Sequence, residues 1–218
     1  MSIEVTYIDH MGSDLSVVNA ARVSFGKSSE MDRSYLRSPP KLKDKDAKLI
    51  KYLAKHKHTS PFNHTFLTVH VKAPIFVARQ LQKHEYMPWN EVSRRYVDEE
   101  PEFYEPDQWR GRADDKKQGS AGAVESVPVG ALKVQGYCLA AYQDLLSGGI
   151  CPEQARMVLP QSTMTEWYWS GTVGAFAKMC NLRCKEDTQL ETRIVGNEVS
   201  NIMLRYFPVS WEALKHDY

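Results

Sequence analysis

From Thr65 to Ala73 apolar and polar positions alternate. Leu67, Val69, Val71 and Ala73 fall on one side, and Phe66, Thr68, His70 and Lys72 on the other. A period of two predicts a half-buried strand. Ile3 to Ile8 alternates in the same way and predicts a second strand, closed by a turn over Asp9-His10-Met11-Gly12. Thr163 to Thr172, aromatic and β-branched, predicts a third. Elsewhere the period lengthens to that of a helix. Asp14 can cap a helix through Leu15 to Ala21, and Asp46 to His56 places Ala47, Ile50, Leu53 and Ala54 on one buried side. Further helices are predicted from Pro128 to Leu146, stopped by Ser147-Gly148-Gly149, and from Pro152 to Pro160. Two more run from Ala175 to Arg183 and from Gln189 to Phe207. Thr59 to Asn63 reads as a turn and Glu102-Phe103-Tyr104 as a short extended segment. Residues 26–45 and 110–126 are polar and aperiodic and read as loops, the second being the best candidate for disorder. Three or more strands among long helices predict an α+β (or α/β) class, and the length suits one domain over residues 1–218.

The bulk numbers narrow the function classes. The chain has 28 Lys+Arg against 27 Asp+Glu. That balance speaks against a nucleic-acid binder, which carries a basic excess, but allows a local cationic pocket. Cys138, Cys151, Cys180 and Cys184 form no CxxC pair, so a reduced, cytoplasmic setting is expected. The first residues show no basic region followed by an apolar run, and no stretch reaches membrane-spanning length. His56, His58, His64 and His70 are close in sequence, but their spacing puts no three on one face, so no metal is expected.

The chemistry concentrates between Arg79 and Tyr96. Pro74 suits a helix start, and Ile75, Ala78 and Leu81 recur at helical spacing, so the helix is expected to run until Pro88 stops it. Arg79 and Lys83, and Gln80 and His84, would then share one face near its C-terminus. Asn90, Glu91, Ser93, Arg94 and Arg95 follow within six residues. Two guanidinium forks beside a hydroxyl and an amide suit a phosphate. A solvated charged face running into a polar loop is the plain alternative.

The pattern Arg79-Gln80-x-x-Lys83-His84, continued by Asn90-Glu91-Val92-Ser93-Arg94-Arg95-Tyr96, resembles the signature of the flavin-dependent thymidylate synthases. Ala20-Ala21-Arg22-Val23-Ser24-Phe25, His56 to Phe62, Val71 to Gln80, Ala155 to Pro160 and Asn181-Leu182-Arg183 resemble other blocks of that family, so the likeness covers most of the chain. One departure is clear: Lys83-His84-Glu85 stands where the family reads Arg-His-Arg. The resemblance implies a mostly antiparallel sheet flanked by long helices. It implies methylation of dUMP to dTMP with methylenetetrahydrofolate as carbon donor, NADPH as reductant and FAD as hydride carrier. It also implies a homotetramer whose sites lie at subunit junctions.

By the same resemblance, dUMP would meet Gln80, Lys83, Glu91, Ser93, Arg94, Arg95, Arg156 and Arg183, with Arg183 catalytic at the uracil ring. FAD would meet Ser24, His58, Ser60, Lys83, His84, Glu85, Asn90, Glu91 and Lys178. Physically, a fixed cation beside a pyrimidine carbonyl stabilises the negative charge that develops when hydride adds. Ser93 is a poor nucleophile, because no base stands at a recognisable spacing from it. Glu85 replaces a cation by an anion near a pyrophosphate, and Lys178 is expected to restore one charge. Two other functions stay open on these residues: transfer of a different one-carbon group such as hydroxymethyl, and a nucleotide-binding relative without flavin.

Overall fold

The computed structural model describes residues 2–32, 41–97, 99–114 and 119–215. Strand β1 (Glu4–Met11) leads into α1 (Asp14–Arg22) and a 3-10 turn, Val23–Phe25. After α2 (Asp44–Lys55) and a second 3-10 turn, Ser60–Asn63, the chain enters β2 (Phe66–Pro74) and turns directly into α3 (Ile75–Leu81). Then come β3 (Trp89–Glu91), β4 (Arg110–Arg112), β5 (Ser120–Ala123), α4 (Val129–Ser147), α5 (Pro152–Ala155), β6 (Met164–Thr172), α6 (Val173–Arg183), α7 (Leu190–Tyr206) and α8 (Pro208–Leu214). The expected mix of helix and antiparallel sheet is present: one sheet has the order β1-β2-β6-β3, and every pairing in it is antiparallel.

The alternation read in β2 is what seats the sheet. Leu67, Val69, Val71 and Ala73 are buried, opposite Trp167 and Trp169 of β6. Fully burying each such aliphatic side chain contributes about 1.5–3 kcal/mol. Val77 and Leu81 of α3, Phe176 and Met179 of α6, and Val195, Val199 and Met203 of α7 complete this core. A second cluster joins Val17 and Val18 of α1 to Ile50, Leu53 and Phe62. Helix α8 borders both clusters, and the Asp14 carboxylate accepts from its Val209 and Ser210 amides at 2.9 and 2.8 Å. Asp14 therefore caps a helix far away in sequence, while Ser13 caps its own.

Several expectations are corrected. Strand β1 runs through Met11, past the turn predicted at Asp9, with a register shift between Tyr7 and Asp9. Helix α3 ends at Leu81, well before Pro88. Tyr86 takes a left-handed conformation (φ 59°), and Met87 is buried against Gly171, so the chain must turn early to reach β6. Asn90 and Glu91, which follow the helix in what reads as a polar loop, form β3 on the edge of the sheet. The 110–126 stretch, read as a candidate for disorder, carries the β4–β5 hairpin, although residues 115–118 lie outside the described ones. Long-range pairing explains it: Arg110 Nη2 grips both oxygens of the buried Glu191 carboxylate in α7, at 2.7 and 2.9 Å. Of the other predicted loop, residues 33–40 lie outside the described ones, and its end already belongs to α2.

Candidate active site

The segment after β2 divides its polar side chains between two cavities. The first two amides of α3 bond the carbonyls of Thr163 and Gln161 at 2.9 and 3.2 Å, which draws the loop after α5 beside α3. Between them lies a cavity of about 450 Å³, lined by Arg79 and Gln82, by Glu91 and Arg94, and by Arg156 with apolar Met157 and Leu159. Three guanidinium groups on one small cavity make an anion site, because each fork offers paired N–H donors to one oxyanion. Glu91 is fixed rather than free: one oxygen accepts from Thr165 Oγ1 at 2.8 Å and the other from Trp89 Nε1 at 3.0 Å. Arg94 Nη1 donates to the Glu99 carbonyl at 2.7 Å, and Arg156 Nε to the Glu153 carbonyl at 3.3 Å.

The larger cavity, about 1010 Å³, lies where the turn after α3 meets α2 and α6. Lys83, His84, Glu85 and Tyr86 form one wall, Lys55, Lys57 and His58 another, and Lys178 with Ala175 and Leu182 a third. Its size is at the upper end for ligand pockets. Apolar walls beside cationic rims match a flat ring system joined to phosphates. Gly174 belongs to this lining, and a Cβ there would come within 2.8 Å of Asn63 Oδ1. The donor set therefore fits a flavin dinucleotide, with one carboxylate, Glu85, among the lining residues.

Arg183 stands at the end of α6 and joins it to the segment after β2. Its Nε donates to His84 Nε2 at 3.1 Å and its Nη2 to the Gln80 carbonyl at 3.0 Å. Burial, and then the positive charge of Arg183, push the His84 pKa down to about 4. The ring is therefore neutral at pH 7, with Nε2 as acceptor and the proton on Nδ1. Burial also lowers the Arg183 pKa, though a guanidinium remains charged. The Gln80 side chain, expected on the nucleotide, donates instead to Gln189 Oε1 at 2.5 Å. No motif or spacing singles out Gln189 as that neighbour.

The predicted site residues thus separate into groups. Glu91, Arg94 and Arg156 meet in the smaller cavity, together with Arg79, which sequence reasoning had placed on a helix face without a ligand. His58, Lys83, His84, Glu85 and Lys178 meet in the larger one. Lys83 carried expectations for both ligands and lines the larger cavity; Glu91 carried both and lines the smaller. Ser24, Ser60, Gln80, Asn90, Ser93, Arg95 and Arg183 line neither cavity in the single chain. Arg95 lies over the Tyr96 ring, 4.9 Å from its centre. Ser24 sits on an exposed turn clamped from both sides. Buried Asp46 accepts from Arg22 Nη2 at 2.5 Å and from the Ser29 hydroxyl, and Asn19 pairs with the Ser29 backbone at 2.7 and 3.1 Å. Burial alone would raise the Asp46 carboxyl, but the bonds from Ser29 and Arg22 outweigh it and hold the pKa low. Among the described residues no three metal-binding side chains converge.

Known proteins share this arrangement of chain and fold. The family model for thymidylate synthase complementing protein matches residues 6–209. A flavin-dependent thymidylate synthase of Thermus thermophilus is 39% identical over 213 residues, which covers 97% of this chain and 75% of that protein. One from Thermosipho africanus is 37% identical and covers 97% of this chain and 90% of its own. Among solved structures, the UMP/dUMP methylase PolB from Streptomyces cacaoi, bound with 5-Br dUMP, superposes with a TM-score of 0.82. It is 31% identical and covers 97% of this chain and 94% of that one. With the family model matched across residues 6–209 and relatives 37–39% identical over 97% of its length, the chain belongs to the thymidylate synthase complementing protein family, the flavin-dependent thymidylate synthases.

Proposed function

We propose that this chain methylates dUMP to dTMP, holding the nucleotide phosphate in the smaller cavity and FAD in the larger. The observation that carries the reading is the division of one short segment: Arg79, Gln82, Glu91 and Arg94 serve an anion site on one side, and Lys83 to Tyr86 a dinucleotide-sized site on the other. The family uses FAD, with NADPH and methylenetetrahydrofolate as co-substrates. When bound, FAD supplies the hydride that completes the new methyl group. The chain's own residues bind and orient. Arg94 and Arg156 anchor the phosphate by paired donors, and the fixed Glu91 carboxylate accepts from a ring N–H or a ribose hydroxyl. Arg183, held by neutral His84 and the Gln80 carbonyl, presents positive charge to a pyrimidine carbonyl as that oxygen becomes anionic.

Self-association completes the site in this reading. Ser24, Ser60, Asn90, Ser93 and Arg95 stand outside the cavities of one chain, and a homotetramer would bring them to a neighbour's. Helix α4 supports it. Its 19 residues bury only Tyr142, while Val129, Leu132 and Tyr137 are 64%, 57% and 67% exposed. An apolar helix of about 28 Å left uncovered calls for a partner surface, and a second copy is the simplest one. We place the protein in the cytoplasm, as one domain over residues 1–218; no helix among the described residues is long and apolar enough to cross a membrane.

The test is direct. Purified protein is incubated with FAD, NADPH, methylenetetrahydrofolate and either dUMP or UMP, and the products are weighed by mass spectrometry. A methylated, FAD-dependent product from dUMP supports the reading. A hydroxymethylated product, or a colourless protein that takes up no flavin, overturns it.

A further inference from the structure

Lys57 occupies a position where the backbone favours glycine. It is left-handed (φ 57°) and directly follows the cap of α2. The Lys57 amide bonds the Ala54 carbonyl at 3.0 Å and the His58 amide bonds the Leu53 carbonyl at 2.9 Å. These are the two crossed bonds of a Schellman ending, whose left-handed residue is usually Gly because a Cβ is strained there. A strained residue persists where its side chain serves something else. Here Lys57 lines the larger cavity, together with Lys55, Lys83 and Lys178. Glu85 is the carboxylate among the lining residues.

We propose that Lys57 is a cofactor-binding residue that contacts the pyrophosphate of the dinucleotide and, with Lys83 and Lys178, offsets the negative charge of Glu85. The proposal rests on the reading of the larger cavity as the flavin site. The physical case is charge balance. Glu85 repels a diphosphate, and Lys83 alone meets it as a point charge. The Lys57 ammonium, from a different element than Lys83 and Lys178, adds a further positive charge to the cavity rim. The strained backbone is the cost of placing that ammonium.

Binding is measured by flavin fluorescence on the full-length protein at several salt concentrations, using FAD and riboflavin, which carries no phosphate. Thermal unfolding is recorded without ligand. Lys57→Gly should weaken FAD roughly 5–20-fold at low salt, reduce the salt dependence of binding, and leave riboflavin affinity unchanged. Its melting temperature should stay within about 2 °C of wild type, because relief of strain offsets the added freedom of glycine. Lys57→Arg should keep most of the FAD affinity. Equal weakening of FAD and riboflavin, or a loss of affinity together with a loss of thermal stability, would overturn the role of Lys57. So would unchanged FAD binding in a protein whose wild type binds FAD, and that result would leave the flavin site standing. A wild type that binds neither FAD nor riboflavin would bring down the site and the Lys57 proposal together.

Discussion

Replacing Arg183 by Ala removes three things at once. It removes two hydrogen bonds, at 3.1 Å to His84 and 3.0 Å to the Gln80 carbonyl, and one half-buried positive charge. Bonds from a charged donor are each worth about 1.5–3 kcal/mol, but the site can admit water once the guanidinium is gone, so the net loss of stability should be about 1–3 kcal/mol. Catalysis should suffer more. A fixed donor aimed at charge that develops only in the transition state is worth about 2.7–4 kcal/mol, or about 10²–10³ in kcat. KM for dUMP should change much less, because the phosphate anchors Arg94 and Arg156 remain. A second signal accompanies the first. Arg183 is one of the two causes that hold the His84 pKa near 4, so in Arg183→Ala the ring should titrate higher, yet below 6.5 because burial persists. Steady-state dTMP formation gives kcat and KM, and an NMR titration of His84 gives the pKa. A variant with wild-type kcat and an unmoved His84 titration would refute the reasoning, whatever happened to its stability.

Other perturbations have equally definite outcomes. Arg110→Ala strands the buried Glu191 carboxylate and should cost about 3–5 kcal/mol in denaturant unfolding, whereas pairing it with Glu191→Leu should recover most of that loss; additive losses would contradict the account. Stability should fall as pH drops. His84 is kept neutral in the fold with a pKa of about 4, so its contribution is complete above the unfolded value near 6.5 and fades as pH falls towards 4. Discounted for a half-buried ring, that is about 1–2 kcal/mol, read by thermal melts across the range. Glu191 acts in the same direction: burial raises its pKa, but the bond from Arg110 outweighs that and lowers it, so protonation at low pH costs more stability. Gly174→Ala should impair flavin uptake more than global stability, since the new Cβ meets Asn63 Oδ1 at 2.8 Å on the cavity wall; undiminished uptake would argue against that wall as the flavin site.

Elements with a long, clean period were legible in the chain itself. The alternation over β2 and the aromatic run of β6 gave both central strands, and the helical spacing of α4 and α7 placed those helices to within a few residues. What escaped depends on contacts distant in sequence. Strand β3 has three residues and exists only by pairing with β6. Helix α8 is capped by a carboxylate from α1. The β4–β5 hairpin, polar and Gly-containing, is tied down by one arginine to α7. The site followed the same rule. The cationic character between Arg79 and Arg95 was legible, as were Arg156 and Arg183. The division of that segment between two cavities was not, because it follows from the early end of α3 and the left-handed Tyr86. Nor did any spacing announce the contact between Arg183 and His84, which joins α6 to the turn after α3.

The most direct test of the central claim is a crystal structure of the protein with FAD and dUMP bound together. The account predicts the dinucleotide between Lys57, Lys83 and Lys178 in the 1010 Å³ cavity, the nucleotide phosphate against Arg94 and Arg156, and Arg183 at the uracil ring. A complex with the phosphate held away from both Arg94 and Arg156, or with FAD outside the larger cavity, would contradict it.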